Sequence, residues 1–137
     1  MNSEPPQTHA LKVLVVDDDD FQIDLMTEML RGLGVVDIAT ASNGRDALAH
    51  LQGRAAAVHL ILLDLHMPGT DGFEFMESAE RLGFGGGLII VSGQNDDVMR
   101  AATLVARLRR FRLLGSVPKP VERQQLASLL AQLSVGT

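Results

Sequence analysis

Five residues of this 137-residue chain could handle a phosphoryl group, and each stands just after an apolar run. Asp17 and Asp18 follow LKVLVV, Asp64 follows HLILL, Ser92 follows LIIV, and Lys119 comes shortly after LLGSV. Three carboxylates brought together repel one another, so such an arrangement calls for proton uptake, a cation, or both. Oxygen-only ligands suit a hard ion such as Mg2+. The Lys119 ammonium could pair with a carboxylate or hold a transferred anion, and the Ser92 hydroxyl could donate a hydrogen bond to the same anion. These are the parts that phosphoryl chemistry uses, provided the chain folds so as to gather them.

The elements that would gather them are legible as alternating periods. Leu11–Val16 reads as a strand buried on both faces. Phe21–Leu33 reads as a helix carrying Phe21, Leu25, Met29 and Leu33 at spacings of four, with Gly34 as its stop. Val35–Thr40 is a second strand, and Ser42 or Asn43 caps a helix bearing Ala47, Leu48 and Leu51 that ends near Gly53. His59–Leu63 is the most apolar strand and belongs at the sheet centre. After it come a turn at Met67-Pro68-Gly69 and a helix from near Asp71. Gly85–Gly87 break the chain before a strand at Leu88–Val91. Asn95 or Asp96 then caps a helix bearing Val98, Ala101, Val105 and Leu108. Leu113–Val117 is the last strand, and Val121–Leu133 the last helix, with Leu126, Leu129, Leu130 and Leu133 on one side.

Five strands alternating with five helices predict a doubly wound α/β fold with a five-stranded parallel sheet, in which ligands bind beyond the carboxyl ends of the strands. All five candidate residues fall at that edge. Residues 1–10 read as a flexible tail and 11–137 as one domain, with no repeat. The 46% hydrophobic content is enough for a core. The absence of cysteine excludes disulfides and thiolate metal sites, and MNSEPPQTHA lacks the features of a secretory signal, so the expected location is a reducing cytoplasm. No apolar run approaches the roughly 18 residues of a membrane span. The net charge of -5 gives no footprint for direct nucleic-acid binding.

The motifs VLVVDD, LLDLHMPGTDG, IIVSG and VPKP, in this order and at these intervals, resemble the receiver domains of two-component response regulators across nearly the whole chain. The resemblance implies a flavodoxin-like sheet of order 2-1-3-4-5. It implies Asp64 as phosphoacceptor, Ser92 as the conformation-sensing hydroxyl and Lys119 as the phosphate-binding lysine. It also implies Mg2+ held by Asp18, Asp64 and the backbone carbonyl of His66, with Asp17 acting through water. Positions two beyond the acceptor and two beyond the serine, here His66 and Gln94, influence phosphoryl lifetime in that family. The implied partners are a histidine kinase or phosphotransfer protein, and an output domain or protein contacted through residues 92–119. The expected role is that of a stoichiometric acceptor, not an enzyme.

Within the DDDD run, Asp19 and Asp20 read as a solvated turn and a helix cap, Asp20 being the cap. Arg107, Arg109, Arg110 and Arg112 read as a cluster favoured by the dipole at the end of the fourth helix. Two departures from the family stand out. Ser116 occupies the place of the usual Tyr or Phe three residues before the lysine, and the interval from Ser92 to Lys119 is longer than usual. That longer segment loosely resembles receivers joined to EAL-type cyclic di-GMP phosphodiesterase domains. Two other functions remain in view. A receiver-like scaffold working without phosphorylation would not need all five site residues. An aspartyl-nucleophile phosphatase would place a second Asp two positions after the nucleophile, where this chain has His66.

Overall fold

The computed structural model describes residues 11–67, 70–93, 96–108 and 111–135. Five parallel strands, β1 (Lys12–Val16), β2 (Asp37–Ala41), β3 (Leu60–Asp64), β4 (Gly87–Ser92) and β5 (Arg112–Pro118), form one sheet in the order β2-β1-β3-β4-β5. Helices α1 (Asp20–Gly32), α2 (Gly44–Leu51), α3 (Gly72–Arg81), α4 (Asp96–Leu108) and α5 (Arg123–Val135) alternate with them. A two-residue antiparallel ribbon, His66–Met67 against Thr70–Asp71, follows β3. The sheet order is the flavodoxin-like one, with Asn95, Arg109, Arg110, Pro68, Gly69 and the tail 1–10 outside the described residues.

Because strand side chains alternate between faces, the buried strands β1, β3 and β4 feed two separate apolar layers. Leu14, Val16, Ile61, Leu63, Leu88 and Ile90 point to the layer that holds Ala47, Phe75, Met76 and Ala106 of α2, α3 and α4. Val13, Val15, Leu60, Leu62, Ile89 and Val91 point to the layer that holds Met26, Leu30, Leu126 and Leu130 of α1 and α5. Leu129 and Leu133 pack partly buried on that second layer, so α5 presents the expected side.

The helix ends show where local chemistry moved the boundaries. Gly34 takes φ +99°, the N–H of Gly34 donates to Arg31 O at 3.0 Å, and that of Val35 donates to Leu30 O at 2.9 Å. This pair of bonds is a Schellman stop, and it spends Val35 on closing α1. β2 therefore begins at Asp37 and not at Val35. Asp19, not Asp20, is the α1 cap, its side chain accepting from the Phe21 N–H at 2.9 Å. Asn43 caps α2 by accepting from the Asp46 N–H at 2.8 Å.

Two expected helical stripes are met in part: Met29 of α1, Leu33 just after it and Val105 of α4 pack partly buried on the core, and the side chains of Val98 and Ala101 lie outside the described residues. In α1 the buried residues are Ile23, Met26 and Leu30, whereas Phe21 is 68% exposed. A strict row of fours drifts about 40° per step around a helix that turns about 100° per residue, so it cannot stay on one face. Spacings of three and four together can. In α4, Ala106 is buried and Val105 partly so, while Leu104 and Leu108 are 61% and 77% exposed. Just beyond Leu108, Phe111 is buried and tilted against Phe84 with ring centroids 5.4 Å apart.

The sheet's amino-terminal rim is also tied. The Lys12 N–H donates to His59 Nδ1 at 2.9 Å, and the His59 N–H donates to Lys12 O at 2.9 Å. Arg112 belongs to this rim too: it opens β5 and donates to Gln132 O near the end of α5, at 3.2 Å, while Arg109 and Arg110 of the expected cluster lie outside the described residues.

Candidate functional site

Four strands end at one edge, and each delivers a residue there. Asp17 follows β1 directly, and its N–H donates to Ala41 O at 3.1 Å, which continues the β1·β2 ladder by one residue. Asp64 is the last residue of β3 and Ser92 the last of β4. Lys119 follows β5, and its N–H donates to Ser92 O at 3.2 Å. Asp17, Asp64 and Ser92 are buried, whereas Asp18 is exposed. The strand-end placement expected for all five residues is what the fold produces.

The side chains meet as the charges demand. Lys119 Nζ lies 3.0 Å from Asp17 Oδ2 as an ion pair, and 3.3 Å from Asp64 Oδ2 as a hydrogen-bonded one. Asp17 Oδ1 accepts from the Asp19 N–H at 2.9 Å, so the turn after β1 also holds the buried carboxylate. One carboxylate oxygen each from Asp17, Asp18 and Asp64 lies within 4.8 Å of the others.

Burial pushes the Asp17 carboxyl above the ordinary value of 3.8, and the Asp64 charge adds to it. The Asp19 N–H and Lys119 oppose the rise without cancelling it. Burial acts the other way on Lys119, toward a lower value, but Asp17 and Asp64 outweigh it and hold the ammonium above 10.5. The lysine is thus charged at any physiological pH, and the cluster keeps an unspent affinity for positive charge.

His66 lies two residues beyond Asp64, where its backbone pairs with Asp71 in the ribbon. Gln94 lies outside the described residues. The Asx turn from Asp17 to Asp19 had no distinguishing signal in sequence, because four consecutive aspartates are interchangeable until a backbone sets which one turns inward.

The profile of the response regulator receiver domain matches residues 13–131. The chain belongs to that family. Among curated relatives, this receiver domain is 27% identical over 128 residues to a protein-glutamate methylesterase/protein-glutamine glutaminase of Paramagnetospirillum magneticum, an alignment covering 93% of this chain and 32% of that protein. It is 29% identical to the cyclic di-GMP phosphodiesterase RocR of Pseudomonas aeruginosa, over 89% of this chain and 31% of that protein. It is 32% identical to a response regulator receiver protein of an Anaeromyxobacter species, over 86% and 46%. The receiver thus spans about a third to under half the length of these relatives. Among solved structures, a CheY-like receiver domain of Methanospirillum hungatei superposes with TM-score 0.74 at 24% identity, covering 89% of this chain and 92% of that one. A CheX-CheY-BeF3-Mg complex of Borrelia burgdorferi superposes with TM-score 0.77 at 19% identity, covering 90% and 88%. These likenesses show the CheY-like fold. Among the described residues of the receiver, no helix is long and apolar enough to cross a membrane.

Proposed function

We propose that this receiver is a phosphorylation-dependent switch in which Asp64 accepts a phosphoryl group, in a Mg2+-dependent reaction, from the phosphohistidine of a histidine kinase or phosphotransfer protein. The observation that carries this reading is the sharing of one ammonium, Lys119, between Asp17 and Asp64 at the carboxyl edge of the sheet. In the reaction an Asp64 oxygen forms a bond to phosphorus while the phosphorus–nitrogen bond of the donor breaks, and the leaving imidazole takes up a proton. Lys119 stands where it can follow the charge from the carboxylate onto a phosphoryl oxygen, and Ser92 offers its hydroxyl as a donor to another.

The donor chemistry fits Mg2+, since three carboxylates with oxygens mutually within 4.8 Å form a hard, oxygen-only set. Asp18 and Asp64, with the backbone carbonyl of His66, would hold the ion directly, and Asp17 through water. When bound, it offsets negative charge on nucleophile and phosphoryl group. His66 and Gln94, at the two positions with that role in the family, would influence the phosphoryl lifetime. The chain acts as a stoichiometric acceptor in the cytoplasm and passes its state to an output domain or protein through residues 92–119.

Intact mass after incubation with acetyl phosphate tests the reading. One phosphoryl adduct is expected with Mg2+ and wild-type protein, and none in EDTA or with Asp64→Asn. Equal labelling in EDTA, continuing turnover of a small phosphomonoester, or an undiminished adduct on Asp64→Asn would each overturn it.

A further inference from the structure

The outer edge of β2 meets no further strand among the described residues. Among the described residues β2 pairs only with β1, and the bond from the Asp17 N–H to Ala41 O fixes which groups face inward. Backbone groups alternate sides along a strand, so Asp37, Ala39 and Ala41 turn theirs to β1. Ile38 and Thr40 therefore turn their N–H and C=O groups outward, which is two donors and two acceptors set at strand spacing.

The carboxyl end of this edge, Thr40 to Ser42, is the floor of a groove of about 750 Å³ walled by residues of α1 and α2. Its charge is divided end from end. Asp20 and Asp24 of α1 and Asp46 of α2 line the end toward Ser42, while His50 and Arg54 lie where α2 runs down toward the start of β2. Asp46 is engaged by Asn43, but among the described residues Asp20, Asp24 and Arg54 have no ion-pair partner. His50 and Arg54 also line a smaller recess of about 90 Å³ beside Ala39, where Asp37 is paired with Lys12 at 3.8 Å and so leaves Arg54 as the unpaired charge at that end among the described residues.

We propose that this edge docks an extended peptide segment by strand addition, antiparallel to β2, with a basic residue at the segment's amino end and an acidic residue at its carboxyl end. The exposed backbone groups require an extended partner, since only a strand matches their spacing. Charge complementarity sets the ends: the basic residue faces Asp20 and Asp24, and the acidic one faces Arg54. Antiparallel pairing, the stronger of the two ladders, then sets the direction, because β2 runs from the basic end of the groove to the acidic end. The proposal is independent of phosphoryl acceptance at Asp64, and its test contains no phosphoryl donor.

The probes are three end-capped peptides, KTVTVTE, the charge-swapped ETVTVTK and the proline-broken KTVPVTE, titrated into isotope-labelled protein. KTVTVTE is expected to shift the Ile38 and Thr40 amides and slow their hydrogen exchange about tenfold at saturation, with the other two binding more weakly. Asp24→Lys should weaken KTVTVTE about fivefold and strengthen ETVTVTK, the change expected of one partly exposed charge pair. Thr40→Pro should abolish the effect on the edge by removing an outward donor; if that variant does not fold, Asp24→Lys decides. Equal binding of the three peptides, unmoved Ile38 and Thr40 amides at the highest soluble peptide concentration, shifts confined to α4, or concentration-dependent dimers formed through β2 would each overturn the proposal.

Discussion

A carboxyl group with no solvent exposure, beside two further carboxylates, costs the fold free energy whenever it is ionised, and Asp17 is in that position. Its folded value is raised above 3.8, so between 3.8 and that raised value the folded chain binds protons that the unfolded chain has released. Stability is therefore lost as pH rises through that window, and the loss is complete above it. Asp17→Asn is expected to raise the thermal midpoint by a few degrees at pH 7, with the gain vanishing below pH 3.8; a drop at pH 7 in melts followed by circular dichroism would contradict this. Asp17, Asp18, Asp64, Ser92 and Lys119 could be found in the sequence because each lies at or within two residues of the end of a strand, and strand ends in a parallel sheet share an edge. The cap could not, because Asp19 and Asp20 are chemically identical and only the backbone turn chooses between them.

At the scale of elements, the two faces of α1 differ in what a substitution costs. Met26→Ala would open a void in the layer between the sheet and α1, a loss of about 2–5 kcal/mol. Phe21→Ser, at 68% exposure, should stay within about 0.5 kcal/mol. Urea unfolding of both variants checks this, and equal losses would return α1 to its expected stripe. Element types were legible because periods of two and of three to four are distinct. Boundaries and helix rotation were less so, since Val35 serves equally well as strand or as helix stop until Gly34 adopts its left-handed turn. A second expectation concerns the stretch from Ser92 to Lys119, whose ends meet through the Lys119 N–H and Ser92 O. A phosphoryl mimic at Asp64 gives both ends a new partner, so beryllofluoride should change hydrogen exchange there more than in residues 21–52. The reverse pattern, or no change across 92–119, would rule out that route. Ser116 is exposed on β5 and supplies no ring, so α4, with Leu104 and Leu108 exposed, is the element expected to change in that experiment.

At the scale of the molecule, the winding was readable from the βα alternation, while the open edge of β2 and the charges around it were not. Asp24 and Arg54 are 30 positions apart in sequence and become neighbours of one groove only after the sheet forms. The bonds from Lys12 to His59 and from Arg112 to Gln132 add a last consequence. The first strand starts, and the last helix finishes, at the pole of the molecule opposite the acidic cluster. A segment that enters the fold at Leu11 or leaves it at Val135 does so at that far pole, so cargo joined there is expected to leave Asp64 open to a donor. This is portability built into the winding: the acidic cluster on one face, and the start of the first strand and the end of the last helix behind it. A fluorescent protein fused at either end should leave the rate of labelling by acetyl phosphate within about twofold of the bare chain, a difference of less than about 0.5 kcal/mol in the barrier. A severalfold slowing by either fusion would show that the two poles are not independent.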